Sequence, residues 1–266
     1  MPHMLIFGLG YTAGRLAERL RGEGWTVTAT RREAGDGVIA FDDTEAVTGA
    51  MEGASHILSS VPPAGDSDPV LDSYGDAIAA ASLAWTGYLS STGVYGDTGG
   101  AWVDETAPTG GGRRRARAEA DARWRSARDN VRVFRLPGIY GPGRSALNRI
   151  ASGTAHRIDM PGQVFSRVHV DDIVSGVIAA LQSPPGVYNL ADDEPASHNV
   201  VTEYGCRLLG VEPPPIQTLD EAGLSEAARG FYAENRRVAN GKAKRVLGWQ
   251  PRYPDYRAGL RAILEH

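Results

Sequence analysis

The residues best placed to do chemistry in this sequence begin with two glycines and an alanine near its start. An apolar run at residues 5–7 leads directly into Gly8-x-Gly10-x-x-Ala13, and an amphipathic helical pattern follows. Gly8 allows a sharp exit from a strand, Gly10 lets the backbone approach a pyrophosphate, and Ala13 lets the helix pack closely. The start of the helix offers free N–H groups to phosphates. We therefore predict a dinucleotide site, with a ligand-free tight turn as the alternative. Its residues are Gly8, Gly10, Tyr11, Thr12 and Ala13.

Two arginines follow the second predicted strand, residues 25–30. In NAD-binding folds an acidic side chain near this point accepts hydrogen bonds from the adenine ribose 2′-hydroxyl. Residues 29–32 contain no acid. A carboxylate would repel a 2′-phosphate, whereas Arg31 and Arg32 could hold one through charge-assisted hydrogen bonds. The pattern favours NADP(H) over NAD(H), with Thr30, Arg31 and Arg32 as contacts. The alternative is that both arginines are simply solvated.

The composition excludes several other classes of function. A net charge of −4 over 266 residues does not indicate a dedicated nucleic-acid-binding or membrane protein. One cysteine, Cys206, excludes an internal disulfide. Because no apolar run has membrane-spanning length and no signal peptide is evident, we expect a cytoplasmic protein. The six histidines lack ligand-type spacing, so no metal site is expected.

Short apolar segments alternate with amphipathic helical patterns along the chain. This alternation predicts an α/β fold, a Rossmann-type doubly wound parallel sheet with helices on both faces. The predicted strands are residues 5–7, 25–30, 37–41, 56–60, 85–90, 131–135 and 187–190. Asp68 and Pro69 predict a helix start as N-cap and first residue, and Asp171 or Asp172 predicts the cap of a later helix. The chain after Ala191 is predicted to be helical and interrupted by prolines.

Four motifs follow one another along nearly the whole chain, and their order is typical of one protein family. They are the glycine turn, Ser90-Ser-Thr-Gly-Val-Tyr-Gly96, Arg135-Leu-Pro-Gly-Ile-Tyr-Gly-Pro-Gly143 and His169-Val-Asp-Asp172. Together they resemble the extended short-chain dehydrogenase/reductases, the NAD(P)-dependent epimerase/dehydratase family, and the pattern at residues 235–240 resembles an atypical bacterial subgroup. The resemblance implies one extended unit. Its dinucleotide-binding core would be about residues 1–138 plus 167–190, and a small substrate lobe would be about 139–166 and 191–266.

The resemblance also implies roles for individual residues. Ser91 would bind the reacting carbonyl or hydroxyl, although its hydroxyl could instead bond the local backbone. For His169 a structural role is the favoured interpretation. Asp42 would contact adenine or cap a turn. The implied further cofactor contacts are Asp42, Ser60, Val61, Arg115 and Pro137. The implied substrate-side residues are Thr92, Tyr140, Arg144, Arg167, His169 and Arg236.

The chain departs from the family at its acid/base pair. Relatives carry Tyr-x-x-x-Lys, in which tyrosinate transfers the proton and lysine lowers the tyrosine pKa and holds the nicotinamide ribose. Aligned on Glu119, this chain has Gly111 and Arg115 at those positions. Arg115 could hold a ribose but cannot share a proton at neutral pH. Tyr95 is the leading substitute for the missing tyrosine, and the alternative is that it is a packed aromatic side chain.

The sequence thus favours an NADP(H)-dependent oxidoreductase or epimerase/dehydratase-like enzyme, acting on an unidentified small polar substrate with non-standard acid/base chemistry. The alternative is a non-catalytic NADP(H)-binding sensor or regulatory protein. The arginines from Arg113 to Arg128 are interleaved with acids, so a solvated helix face is expected and nucleic-acid binding is not. Relatives often dimerise through helices that flank the sheet, so the resemblance implies a homodimer as one candidate assembly.

Overall fold

The alternation of strands and helices builds one seven-stranded parallel sheet, in a computed structural model that describes residues 1–112 and 115–265. The strands are β1 (His3–Phe7), β2 (Thr26–Arg31), β3 (Val38–Ala40), β4 (His56–Ser59), β5 (Trp85–Ser91), β6 (Trp102–Val103), β7 (Val131–Leu136), β8 (Gly138–Tyr140), β9 (Arg157–Ile158), β10 (Arg167–His169), β11 (Gly186–Asn189), β12 (Ile216–Gln217) and β13 (Arg237–Val238). The helices are α1 (Tyr11–Gly22), α2 (Thr44–Glu52), α3 (Pro69–Ala80), α4 (Arg115–Ala127), α5 (Ala146–Ala151), α6 (Val170–Ala179), α7 (His198–Leu209), α8 (Glu226–Tyr232), α9 (Gly241–Leu247) and α10 (Tyr256–Glu265). Two short 3-10 turns cover Thr92–Tyr95 and Ala180–Gln182.

The sheet has the strand order β11-β7-β5-β4-β1-β2-β3, which confirms the predicted doubly wound fold. The order reverses between β1 and β4, and ligands bind outside the carboxyl ends of strands at such a point. Successive side chains of β1 point to opposite faces of the sheet and belong to two different apolar cores. Met4 and Ile6 pack with α1 and α6 on one face, and Leu5 and Phe7 pack with α2, α3 and α4 on the other.

A separate apolar cluster lies beside the sheet in the segments predicted as the substrate lobe. Helices α5, α7 and α10 form it around residues such as Leu147, Tyr256 and Leu260. In the same predicted segments, Leu247 and Trp249 pack with the core of the sheet instead. The C-terminal part of the chain therefore contributes both to the separate cluster and to the core that packs α1 and α6 on the sheet.

Two helix starts show where local sequence patterns succeed and fail. Asp68 caps α3 as predicted, accepting hydrogen bonds from the backbone N–H groups of Val70 (3.1 Å) and Leu71 (3.0 Å). The prediction that Asp171 or Asp172 caps α6 is wrong. His169 is the N-cap, and its Nδ1 accepts the N–H of Asp171 at 3.2 Å.

The two aspartates of α6 are used for tertiary contacts instead. Asp171 forms an ion pair with Arg15 of α1 at 2.7 Å. The buried carboxylate of Asp172 accepts the backbone N–H groups of Arg252 (2.6 Å) and Tyr253 (3.1 Å). Both side chains thereby dock α6 onto neighbouring elements, which leaves the cap to the histidine.

The arginine-rich helix α4 is largely solvated on one face, in line with the expectation from its charges. Arg115 pairs with Glu119 and Arg123 pairs with Asp72 at the surface. Arg113 and Arg114 lie outside the described residues. In the described ranges, no helix has the length and apolar character needed to cross a membrane. The described residues also contain no group of three or more His, Cys, Asp or Glu side chains arranged to hold a metal ion.

Candidate functional site

A cleft of about 970 Å³ opens at the carboxyl ends of β1, β2 and β4. The glycine turn after β1 forms its floor, residues 30–36 line one side, and residues 60–64 line the other. Seven of the residues predicted to contact a cofactor share this cleft. They are Gly8, Gly10, Thr30, Arg31, Arg32, Ser60 and Val61.

The two glycines of the turn have different surroundings. Gly8 has a φ of +86°, and a Cβ there would lie 2.9 Å from Cγ2 of Val61. A side chain at Gly8 is therefore excluded by conformation and by packing. A Cβ at Gly10 would meet no protein atom within 4 Å. The space above Gly10 is thus left for something other than protein, as close approach by a pyrophosphate requires.

Thr30 holds the turn in place from β2. It is fully buried, its Oγ1 accepts the N–H of Gly8 at 3.2 Å, and its carbonyl accepts the N–H of Leu9 at 2.9 Å. The hydroxyl of Thr30 is therefore already bound to the turn. Its contribution to the cleft is to fix the glycines.

The start of α1 is built to receive negative charge. Its N-cap, Gly10, has no side-chain cap, and its first turn contains no acidic residue. Ala13 is fully buried, which allows the close packing that the motif predicts. Thr12 is also buried, and the Tyr11 hydroxyl donates to the Pro142 carbonyl at 2.9 Å. Tyr11 therefore ties the cofactor turn to the loop after β8.

Charged side chains of both signs line the side of the cleft formed after β2. The Arg31 Nε donates to the carbonyl of Leu9 at 3.1 Å, so its guanidinium lies beside the glycine turn. Arg32 is exposed and also lines the cleft. Glu33 and Asp36 line it too. Both acids follow residues 29–32, the positions at which an acidic ribose contact was sought, and so neither was predicted.

Besides Tyr11, Thr12 and Ala13 of α1, three predicted cofactor contacts are not among the residues that line the cleft. Asp42 is exposed beside Asp43, which caps α2 through the N–H of Ala46. Pro137 is half-buried between β7 and β8. The Arg115 side chain is 83% exposed and its Nε lies 2.7 Å from Glu119. Among the described residues, no contact joins Arg115 to the cleft, so its predicted contact with a ribose stays a prediction.

Ser91 ends β5 at the carboxyl edge of the sheet, where the family motif implies the reacting oxygen. It is half-buried, and its Oγ accepts the N–H of Gly93 at 3.1 Å. The local backbone bond considered as the alternative is therefore present. The hydroxyl proton of Ser91 remains able to donate to a ligand. Thr92, the next residue, is buried.

Tyr95 is part of a buried polar network. It is 5% exposed, its hydroxyl donates to Oδ1 of Asn189 at 2.8 Å, and it accepts from Nη1 of Arg135 at 3.0 Å. Burial raises its pKa, which is opposite to the shift that an acid/base tyrosine needs. The geometry therefore supports the packed-aromatic interpretation of Tyr95 over the catalytic one.

The centre of this network is an ion pair that the sequence did not suggest. Arg135 binds both carboxylate oxygens of Asp121, at 2.8 and 3.0 Å, and Ser90 donates to the same carboxylate at 2.8 Å. Both charged side chains are about 1% exposed. Burial alone would lower the pKa of Arg135, but the hydrogen bonds and charge of Asp121 raise it. The network joins β5, α4, β7 and β11 behind the Ser91 turn.

Three of the predicted substrate-side residues are buried and have structural partners. Arg167 donates to the carbonyls of Phe165 (2.7 Å) and Ala196 (2.9 Å). Burial lowers the pKa of His169 to about 4, and its ring packs 5.2 Å from that of Tyr140. These contacts support the favoured structural interpretation of His169.

Arg236 and Arg144 lie in the segments predicted as the substrate lobe. Nη1 of Arg236 donates to the carbonyl of Gly96 (2.7 Å) and to Oε2 of Glu234 (2.8 Å). Its charge is therefore already balanced. Arg144 is exposed, and its Cζ lies 5.8 Å from the centre of the Tyr11 ring. Arg144 therefore lies close to the first residue of α1, next to the glycine turn.

Gly110, Gly111 and Gly112, the segment that the alignment on Glu119 sets opposite the family tyrosine, precede α4. A Cβ at Gly112 would lie 2.7 Å from Cα of Gly96 and 3.0 Å from Oε1 of Glu234. The N–H of Gly110 donates to the carbonyl of Val94 at 2.9 Å. The turn therefore packs directly against the end of the motif that begins at Ser90.

The chain was compared with known proteins in sequence and in fold. No model of a protein family matches it. The chain is similar to a functionally unknown conserved protein from Silicibacter pomeroyi, with 41% identity and a TM-score of 0.92 over 100% of this chain and 99% of that one. It is 28% identical to the 3-diazoavenalumate denitrifying reductase of a Streptomyces species, over 88% of this chain and 76% of that protein.

A more distant likeness concerns the fold alone. The human epimerase family protein SDR39U1, solved with NADPH, has a TM-score of 0.80 at 18% identity, over 99% of both chains. Other solved structures with this fold hold NAD. The chain thus has the fold of the extended short-chain dehydrogenase/reductases, the NAD(P)-dependent epimerase/dehydratase superfamily, and it belongs to one family with the Silicibacter pomeroyi protein.

Proposed function

We propose that the chain is an NADP(H)-dependent oxidoreductase acting on a small polar substrate at the carboxyl edge of β5. One observation carries the proposal. The glycine turn, the uncapped start of α1 and two arginines surround a single cleft large enough for a nucleotide. The NADPH in the human structure and the reductase activity named for the Streptomyces relative are consistent with it.

The residues of the cleft fit a phosphorylated dinucleotide. The open space above Gly10 and the free N–H groups of α1 would receive the pyrophosphate. Arg31, fixed by its bond to Leu9, would direct its remaining N–H groups to a 2′-phosphate. Glu33 and Asp36, which line the same side of the cleft, partly balance this charge.

Ser91 would orient the reacting oxygen by donating its hydroxyl proton, while its Oγ stays fixed by Gly93. A bound nicotinamide would supply or accept a hydride. A positioned acid/base group contributes roughly 10²–10⁴-fold in rate, and neither Tyr95 nor Arg115 lies where it could provide one. We therefore favour reduction of an electrophile that needs little help from a protein acid over epimerisation or dehydration, which require a base.

The test is calorimetric titration with NADPH, NADP, NADH and NAD. The wild-type protein is compared with the double variant Arg31→Ala/Arg32→Ala. The control is Arg19→Ala, which removes an exposed arginine of α1 that pairs with Glu23. We expect NADP(H) to bind at least tenfold more tightly than NAD(H), and only the double variant to lose this preference. Absence of binding to all four nucleotides would refute the proposal.

A non-catalytic NADP(H) sensor is the second candidate. The exposed Arg115 and the glycine at position 111 favour it, because the usual acid/base pair is missing. Tight cofactor binding that changes self-association, with no NADPH oxidation across aldehydes, ketones, quinones and diazo compounds, would support the sensor over the enzyme.

A further inference from the structure

The loop after β8 lies directly on the start of α1. The Tyr11 hydroxyl donates to the carbonyl of Pro142 at 2.9 Å. A Cβ at Gly141 would lie 2.5 Å from the Tyr11 hydroxyl oxygen and 2.6 Å from Cγ1 of Val170, the first residue of α6. Because position 141 has no side chain, the loop can approach this closely. It is therefore held against the residue that follows Gly10 of the glycine turn.

The same loop fixes the backbone of Arg144. Gly141 and Arg144 exchange two backbone hydrogen bonds, each 3.0 Å long. Gly143, between them, has a φ of +73°, a conformation that favours glycine. Ser145 then caps α5 through a capping box with Asn148. Arg144 thus lies between a closed turn and a capped helix start, so the direction in which its side chain leaves the backbone is set by the fold.

Two arginines lie over the ring of Tyr11, and only one of them is neutralised. The Cζ atoms of Arg15 and Arg144 are each 5.8 Å from the centre of this ring. Arg15 is paired with Asp171 at 2.7 Å. Arg144 is exposed and has no ion-pair partner among the described residues. A guanidinium that no carboxylate neutralises therefore lies beside the first residue of α1.

The charges around the start of α1 do not balance. The N-terminal end of a helix carries a partial positive charge, and the first turn of α1 contains no acidic residue. The first turn of α6 differs, because it carries Asp171 and Asp172. Since Asp171 is already paired with Arg15, the start of α1 and Arg144 are two positive groups that no described carboxylate neutralises. An anion bound at the glycine turn would satisfy both of them.

The space beside Gly10 suits an anion with two charged groups. A Cβ at Gly10 would meet no protein atom within 4 Å, and Gly10 lines the cleft. A pyrophosphate carries negative charge on both of its phosphoryl groups. The free N–H groups of α1 can hold one group, and a guanidinium can hold the other through charge-assisted hydrogen bonds.

We propose that Arg144 binds the pyrophosphate of the cofactor, as a cation that the loop after β8 supplies to the glycine turn. Cofactor binding would then draw on a residue from the segments predicted as the substrate lobe. The assignment differs from the substrate-side role that the family resemblance implies for Arg144. It rests on the proposed function, because the pyrophosphate belongs to the nicotinamide nucleotide proposed there.

The test is calorimetric titration of the wild type and Arg144→Gln with NADP, NAD and adenosine 2′-monophosphate. NADP and NAD share the pyrophosphate, whereas adenosine 2′-monophosphate has the 2′-phosphate and lacks the pyrophosphate. We expect Arg144→Gln to weaken the binding of NADP and NAD by the same factor, about tenfold, because one charge-assisted contact is lost. Its affinity for adenosine 2′-monophosphate and its Tm should stay unchanged. The double variant Arg31→Ala/Arg32→Ala should show the opposite pattern, with weaker binding of adenosine 2′-monophosphate and unchanged binding of NAD.

Two further variants separate the charge of Arg144 from its position in the fold. Arg144→Lys keeps the charge and should recover part of the lost affinity, because an ammonium lacks the forked hydrogen bonds of a guanidinium. The control Arg149→Gln removes an exposed arginine of the adjacent helix α5 and should leave the affinity for all three nucleotides unchanged.

The outcomes distinguish this assignment from the function on which it rests. Wild-type affinity for NADP in Arg144→Gln would overturn the assignment and leave the proposed function standing. An equal loss of affinity for adenosine 2′-monophosphate would also overturn it, because general damage to the cleft would then explain the result. A wild-type protein that binds neither NADP nor NAD would refute the proposed function, and the assignment of Arg144 with it.

Discussion

The stability of this fold should fall as the pH rises from 6 to 9, because of one buried carboxyl group. Asp192 follows β11 and is 2% exposed. Neither of its oxygens has a hydrogen-bond partner among the described residues, although its backbone N–H donates to Arg167 at 2.7 Å. Burial raises its pKa from an ordinary 3.8 to about 8, despite the nearby charge of Arg167.

The sign and size follow from proton linkage. A carboxyl whose pKa is raised on folding stabilises the protein fully at low pH, and this stabilisation is lost as the pH rises through the folded value. Between pH 6 and pH 9 the unfolded group is ionised throughout, while the folded group gives up its proton near pH 8. At about 1.4 kcal/mol per pH unit below that value, the loss is about 3 kcal/mol. For a chain of this size this corresponds to roughly 6–12 °C in Tm.

The assay is thermal unfolding of the wild type and Asp192→Asn at pH 6 and pH 9. Asparagine cannot ionise, so the variant should lack this component of the alkaline loss and be the more stable protein at pH 9. The matched control is Asp193→Asn, whose carboxylate is paired with Lys244 and Asn240 at the surface. The control should keep the wild-type pH dependence. Parallel curves of Tm against pH for the wild type and Asp192→Asn would refute the reasoning.

Three further substitutions test the glycine turn and the buried ion pair. Gly8→Ala should lower Tm, because Gly8 has a positive φ and a Cβ there would press on Val61. Gly10→Ala should leave Tm unchanged and weaken NADP(H) binding at least tenfold in calorimetry. Equal effects of the two substitutions on Tm would contradict these separate roles. Asp121→Asn removes the counter-charge of Arg135 and should cost about 3–5 kcal/mol in urea unfolding. The control Glu119→Gln, which breaks the exposed pair with Arg115, should cost little, and a similarly small loss in Asp121→Asn would show that the buried pair is unimportant.

The fold was predictable because its signals are local and repeated. Alternating strands and helices fix a parallel sheet, and parallel strands bring the residues that follow β1, β2 and β4 to one edge. Gly8, Thr30 and Ser60 therefore meet in the cleft although they are distant in sequence. Helix α2 was missed because it is short and buries only Val47 and Met51.

The polar contacts around the site were not predictable in this way. Asp121 and Arg135 lie on a helix and a strand, and nothing in their local patterns indicates that both are buried and paired. The cap of α6 was assigned to the wrong residue because Asp172 has partners 80 residues away, at Arg252 and Tyr253. Such contacts depend on which elements pack together, and a motif describes only its own element.

The alignment that sets Gly111 opposite the family tyrosine has to be considered together with the tertiary structure around it. Packing requires glycine at position 112, where a Cβ would strike the backbone of Gly96. At Gly111, the position aligned with the tyrosine, a Cβ would meet no described atom within 4 Å, and φ there is not positive. The backbone would therefore accept a tyrosine at Gly111. The fold therefore does not impose glycine at position 111, and both proposed functions accommodate it: a hydride acceptor that does not need a tyrosine acid, or a protein that binds the nucleotide without turnover.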